Sequence, residues 1–211
     1  MGEDINTKSE ILRLLALGLR ENKWSLTSGG KSSFYIDLDA ILTTPDAIKK
    51  VSDLYLDEIA KAQKEKGRID RLAFIEKDSG PVGAITLKDL LVVKTGIPGI
   101  VIRPQRRVLA AAVKGSESLR PGDKMLLISD VATSGSSILK AAQIAWAFRA
   151  RVILVIVFFD REQGAVNNLS RYDIEMRSIA RRSTDLSQFP ELEKVPLSVS
   201  TSSTSYMRIR P

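Results

Sequence analysis

The sequence predicts an α/β fold: a mostly parallel central sheet with helices on both faces. Three observations carry that expectation. From residue 72 onward, short apolar runs alternate with helical patterns in the order strand, helix, strand, helix, strand. Two of the runs, 125–128 and 152–159, are apolar at every position, as strands buried on both faces are. The first of these soon reaches an acid and a turn of small hydroxylated residues, after which a helical pattern begins.

Each element has its own signal. Residues 8–20 carry Ile11, Leu14, Leu15 and Leu19 at helical spacing. Residues 24–38 alternate loosely around Gly29 and Gly30, which predicts a hairpin. Thr44 followed by Pro45 marks a helix start, and Ile48, Val51, Tyr55 and Ile59 line one face of that helix. Residues 61–68 are a charged connection. A strand at 72–75, a turn at Ser79, Gly80 and Pro81, a helix over 82–94 and a strand at 100–102 follow. Residues 103–123 lack a core pattern apart from 108–113. The strand at 125–128 stops at Asp130, a helix covers about 138–149, and the strongest strand is 152–159. We expect one domain over 1–211, with a small N-terminal hood at about 20–40, a core at about 45–180 and a Ser/Thr-rich tail at about 181–211. Ligands of such sheets collect at the carboxyl ends of the strands. That puts Glu76 to Gly80, Arg103, Asp130 to Ser137 and Asp160 with Arg161 on one rim.

Composition narrows the chemistry. The chain of 211 residues has no cysteine and no histidine, which removes disulfides, thiolate nucleophiles, Cys-based metal sites and the commonest general base. Any metal is expected to be a hard ion held by carboxylates and substrate phosphates, with Mg²⁺ the candidate. The formal charge of +7 favours anionic partners, but Lys and Arg are dispersed apart from residues 103–107, so nucleic acid is not the favoured partner. The longest apolar run, 152–159, is too short to cross a bilayer, and the N-terminus lacks a basic region and an apolar signal core. A cytoplasmic location is the expectation. Sparse Asn, Gln and Met beside plentiful Lys, Arg and Glu lean toward a heat-adapted source. Gly30, Lys31 and Ser32 invite a Walker A reading that fails, because serine stands at 25 and no strand–loop–helix context surrounds it.

The turn of Thr133, Ser134, Gly135, Ser136 and Ser137 has no bulky side chain to cover its backbone N–H groups. With added hydroxyl donors and the positive end of the next helix, it forms a cradle for a phosphate monoester. Asp130 stands where a sugar hydroxyl carried by that phosphate would meet it. The plainer alternative is a strand–turn–helix with N-capping serines. A planar anionic base needs a bidentate donor such as Arg161, and Phe34 and Tyr35 offer rings to cover it. The alternatives are a helix-start or surface salt-bridge arginine for Arg161 and ordinary core or hairpin packing for the two aromatics.

Residues 129–137 resemble the phosphoribosyl diphosphate (PRPP) motif of type I phosphoribosyltransferases. Two further segments resemble the orotate phosphoribosyltransferase branch: the hood, Leu26 to Asp37, and the Asp-Arg-x-x-Gly signature at Asp160 to Gly164. Gly122, Asp123 and Lys124 match the turn before the PRPP strand. The resemblance spans roughly 10–180. It implies the type I phosphoribosyltransferase fold and Mg²⁺-dependent transfer of phosphoribosyl from PRPP to orotate, giving orotidine monophosphate and pyrophosphate in pyrimidine biosynthesis. It assigns Asp130 to the ribose hydroxyls, directly or through Mg²⁺ and water, with no direct protein ligation of the metal otherwise. Thr133, Ser134, Gly135, Ser136 and Ser137 are assigned to the 5′-phosphate, and Arg103 and Arg107 to the pyrophosphate. Arg161 is assigned to the base, and Lys31, Phe34, Tyr35, Ser79 and Gly80 to the remaining substrate contacts. It also implies a homodimer in which a mobile loop reaches the neighbouring subunit's site.

The chain departs from that pattern at the pyrophosphate end. Ser129 replaces the first of two paired acids. Pro104, Arg107 and Leu109 stand where lysine, lysine and histidine are usual, and the glycine-rich loop tip has become Ala110 to Lys114, which predicts a stiffer, helical loop. Thr27 and Ser79 stand where lysine is common. Lys77, Arg106 and Lys114 are the nearby cations that would substitute. The phosphate cradle is thus kept while the pyrophosphate grip is thinned. Three readings remain: a working orotate enzyme, a relative that senses PRPP or a nucleoside monophosphate without turnover, and an enzyme for another base.

Overall fold

A computed structural model describes residues 2–25, 31–76, 82–106 and 108–185. Helix α1 (Gly2–Gly18) buries Ile11, Leu14 and Leu15, as the spacing predicts. It ends at Gly18 rather than Arg20, and Leu19 opens a strand instead of closing the helix. A Cβ on Gly18 would lie 2.7 Å from the Asp37 carbonyl oxygen and from Ile41, so glycine alone lets the chain pass this closely before it turns. Strands β1 (Leu19–Ser25) and β2 (Lys31–Ile36) form the antiparallel hairpin. A short helix, α2 (Leu38–Ile41), leads to α3 (Pro45–Lys66), where the Thr44 hydroxyl accepts from Ala47 N–H at 3.2 Å with proline in the first turn.

The main sheet follows. Its elements are β3 (Arg71–Ile75), α4 (Val82–Thr95), β4 (Gly99–Ile102), α5 (Leu109–Ala112), β5 (Val113–Lys114), β6 (Lys124–Ala132), α6 (Ser136–Ala147), β7 (Arg151–Asp160), α7 (Ala165–Ser170), β8 (Met176–Arg181) and α8 (Arg182–Asp185). The strand order is β5-β4-β3-β6-β7-β8, and every neighbouring pair is parallel except β4 with β5. Alternate residues of the strands feed two cores. Leu72, Phe74, Leu126, Ile128, Leu154, Ile156 and Phe158 pack with α1, α3 and α4; Ala73, Met125, Leu127, Val155 and Val157 pack with α6 and α7. Continuous apolar runs are what a sheet covered on both faces requires.

Some boundaries differ from expectation. β6 does not stop at Asp130, because Val131 and Ala132 pair with Phe159 and Asp160 of β7. α6 begins at Ser136 rather than near 138, so two serines of the cradle are its first residues. β8, Met-Arg-Ser-Ile-Ala-Arg, has no apolar run to announce it; among the described residues it is an edge strand paired with β7. The stiffened loop is a single helical turn, α5, followed by an edge strand. Its apolar start is not core: Val108 and Leu109 are exposed, and burial begins at Ala112. The expected tail at 186–211 lies outside the described residues.

Chain order locates the crevice. β3 is followed by β4 on one side, then the chain returns to lay β6 on the other side of β3. Connections therefore diverge above the carboxyl ends of β3 and β6, and an open α/β sheet binds its ligands at that switch point.

Candidate active site

The turn after β6 has the form a phosphate site needs. Gly135 sits in the left-handed region (φ 76, ψ 3) and caps α6, and a Cβ there would lie 3.3 Å from the Ala165 Cα. Both facts demand glycine. Among the described residues, the N–H groups of Ser134, Gly135, Ser136 and Ser137 donate to no protein acceptor, while Leu139 N–H closes the first helical bond on the Gly135 carbonyl at 2.8 Å. These donors and the N-terminal end of α6 together favour an anion. Asn168 of α7 donates from Nδ2 to the Ser134 carbonyl at 2.9 Å.

Asp130 lies one turn of chain before the cradle, half-buried. Its Oδ1 accepts from its neighbour's backbone, Val131 N–H, at 2.7 Å and from the Ser129 hydroxyl at 3.3 Å. Ser129 itself is buried. Its carbonyl accepts a 2.8 Å bond from the Tyr55 hydroxyl, which reaches it from α3. Burial, and secondarily the charge of Asp130, hold the Tyr55 phenol well above its ordinary value, so it stays a neutral donor. Tyr55→Phe would leave a buried carbonyl unsatisfied, and denaturant titration should show a loss of about 1–2 kcal/mol. An unchanged midpoint would remove this bond from the account of how the end of β6 is held.

At the end of β7, Arg161 N–H donates to the Ala132 carbonyl at 3.0 Å, tying the two strand ends together. The Arg161 residue is 1% exposed, a buried cation beside the cradle's strand rather than a surface one. Asp160 is buried too; burial pushes its carboxyl up, against a 2.8 Å bond from Glu162 N–H. Glu162, in the left-handed region (φ 54), accepts from Ser183 N–H at 2.6 Å and its hydroxyl at 2.7 Å. Gln163 is buried, and its Oε1 has no hydrogen-bond donor among the described residues.

Across the crevice, Glu76 follows β3 and Arg103 follows β4. Arg103 donates from Nε (3.0 Å) and Nη2 (2.9 Å) to Oε2 of Glu76, and Lys88 of α4 donates to Oε1 at 2.5 Å. Burial pushes the Glu76 carboxyl up, but the bonds from Lys88 and Arg103 outweigh it and leave the group below the usual glutamate value. Arg103 N–H also donates to the Ala112 carbonyl at 2.7 Å, which closes the short loop through α5.

The structure thus brings Asp130, Thr133, Ser134, Gly135, Ser136, Ser137 and Arg161 to adjacent strand ends, with Arg103 on the far side of the switch point. Lys31, Phe34 and Tyr35 lie in β2, in the separate hairpin sheet. Arg107, Ser79 and Gly80, with Lys77 and Thr27, lie outside the described residues. Arg106 and Lys114 are exposed. The sequence reading missed Tyr55 as a polar contact, because it sits at an apolar helix position. It also missed Lys88, Gln163 and Asn168, whose only signal is tertiary. No three carboxylates gather as a metal cage among the described residues, and no described helix is long and apolar enough to cross a membrane.

The fold and this rim define a type I phosphoribosyltransferase, and solved structures agree. Orotate phosphoribosyltransferase from Aeropyrum pernix superposes with a TM-score of 0.69 at 24% identity, covering 85% of this chain and 99% of that one. Adenine phosphoribosyltransferase from Saccharomyces cerevisiae gives 0.61 at 15% identity, covering 81% and 99%. No protein-family model matches the chain. The orotate phosphoribosyltransferase of Pyrococcus abyssi is 32% identical over 167 residues, 78% of this chain and 87% of that protein. The chain belongs to the orotate phosphoribosyltransferase family.

Proposed function

We propose that the protein transfers a phosphoribosyl group from PRPP to orotate, releasing pyrophosphate and forming orotidine monophosphate, a step of pyrimidine biosynthesis. The observation that carries this reading is the set of uncommitted N–H groups from Ser134 to Ser137, beside Asp130 at the end of β6 and the buried Arg161 at the end of β7. In this reading the turn holds the 5′-phosphate and Asp130 meets the ribose hydroxyls. Arg161 grips the base carboxylate, with Phe34 and Tyr35 covering its ring and Lys31 beside them. Charge builds on the departing pyrophosphate, and fixed donors and cations that face it lower the barrier. Arg103 and Arg107 take that role, joined by Lys88, while Ser79 and Gly80 offer backbone donors.

Mg²⁺ fits the donors present. A single half-buried carboxylate, Asp130, with no cage of three acids around it, suits an ion that arrives on the substrate's phosphates and keeps most of its waters. When bound, it supplies neutralisation of the pyrophosphate charge. The reading includes a homodimer, supported by the exposed apolar pair Val108 and Leu109 in the loop that the family resemblance directs toward a neighbouring subunit. The alternative of a nucleotide sensor without turnover has no support from the relatives found, which are named as enzymes.

The test is direct. Purified protein given PRPP, orotate and MgCl₂ should release pyrophosphate and form orotidine monophosphate. No release above the enzyme-free control across temperature would sink the reading, and release with a purine but not with orotate would reassign the base.

A further inference from the structure

We infer that Asn168 is a positioning residue that aims the phosphate turn by tying it to α7. The inference rests on the phosphate assignment proposed above. Asn168 Nδ2 donates to the Ser134 carbonyl at 2.9 Å, and only the amide nitrogen of an asparagine can donate, so its orientation is chemically determined. Among the described residues there is no cis peptide, and in a trans peptide the C=O and N–H point in opposite directions. Holding the Ser134 carbonyl toward α7 therefore turns the Gly135 N–H away from α7, to the side where the other uncommitted amides of the turn are available. The same helix packs on the turn at a second point, since a Cβ on Gly135 would lie 3.3 Å from Ala165 Cα and Leu169 Cγ, a tight contact. At its other end Asn168 N–H donates to the Gly164 carbonyl at 2.9 Å, so this residue sits one helical turn after the segment that carries Arg161. The backbone of Asn168 is thus fixed in α7 while its side chain reaches across to the phosphate turn.

A peptide held on one side only by Asn168 would rotate when that donor is lost, and the Gly135 N–H would leave its phosphate-facing direction. The experiment is calorimetric titration of wild type, Asn168→Ala and Asn168→Asp with ribose 5-phosphate, pyrophosphate and orotate, with thermal melting in parallel. In both variants ribose 5-phosphate should bind about five- to tenfold more weakly, the ratio that loss of one hydrogen bond gives. Pyrophosphate and orotate should stay within about twofold, because their contacts do not pass through that peptide. Asn168→Asp adds a signature that a merely structural residue would not show. Its deficit relative to wild type should shrink as pH falls through the carboxylate range near about 4, where the protonated acid regains a donor. If the alanine variant does not fold, the aspartate variant and its pH response decide alone. Equal ribose 5-phosphate affinity in variant and wild type, or the same proportional loss for all three ligands, would overturn the inference while leaving the functional reading intact. A wild-type protein that binds no ribose 5-phosphate overturns that reading, and the inference with it.

Discussion

Replacing Arg161 with methionine should lower kcat/KM for orotate by about 10²- to 10³-fold, the effect of removing one partner of a desolvated, hydrogen-bonded charge pair. The size follows from burial. Arg161 is 1% exposed, so in the proposed base site its guanidinium would act in a low-dielectric setting where water cannot replace it. Methionine keeps a long apolar stem and so preserves much of the packing, while the planar fork that matches a carboxylate is lost. The loss should appear mostly in the KM for orotate. Ribose 5-phosphate affinity should hold within about twofold, because the phosphate turn follows a different strand. Arg161→Lys should not rescue, since an ammonium cannot grip bidentately. Steady-state pyrophosphate release against orotate concentration is the measurement. A kcat/KM within about threefold of wild type would remove Arg161 from the base site, because a lost buried ion pair cannot cost so little.

Asp130→Asn should lower kcat by about 10²- to 10³-fold, since in the proposed site it would weaken two charge-assisted bonds to ribose hydroxyls, each worth about 1.5–3 kcal/mol. Asparagine retains an oxygen to accept from Val131 N–H, so the backbone at the end of β6 should stay in place. Fold stability should therefore change little while single-turnover pyrophosphate release slows. An unchanged single-turnover rate would show that Asp130 does not touch the reacting sugar. Ser129 is 7% exposed and its hydroxyl bonds Asp130, so a carboxylate in its place would be desolvated beside a like charge.

Period and composition made the core legible. Residues 125–128 and 152–159 read as strands buried on both faces and lie in β6 and β7, and Thr44 with Pro45 announced a helix start that the Thr44 cap realises. The cradle was legible because small residues after an apolar strand constrain backbone and access together. What stayed hidden depends on partners distant in sequence. β6 runs past Asp130 only because β7 offers Phe159 and Asp160 to pair with, and β8 exists only because β7 leaves an edge. Val108 and Leu109 read as core because hydrophobicity says nothing of which side faces water. Arg103 was correctly placed on the rim, but the carboxylate that engages it lies 27 residues away and has no local signature.

That carboxylate has a consequence for turnover. Arg103 and Lys88 carry two positive charges and Glu76 one negative, so the trio presents a net +1 (2 − 1) before any ligand arrives. In the proposed reaction a polyanion that reaches these cations would have to displace Glu76, so its binding energy would be the difference between two ion pairings. On its departure the same carboxylate would stand ready to re-pair. The crevice thus carries its own counter-ion, a built-in competitor for a highly charged product.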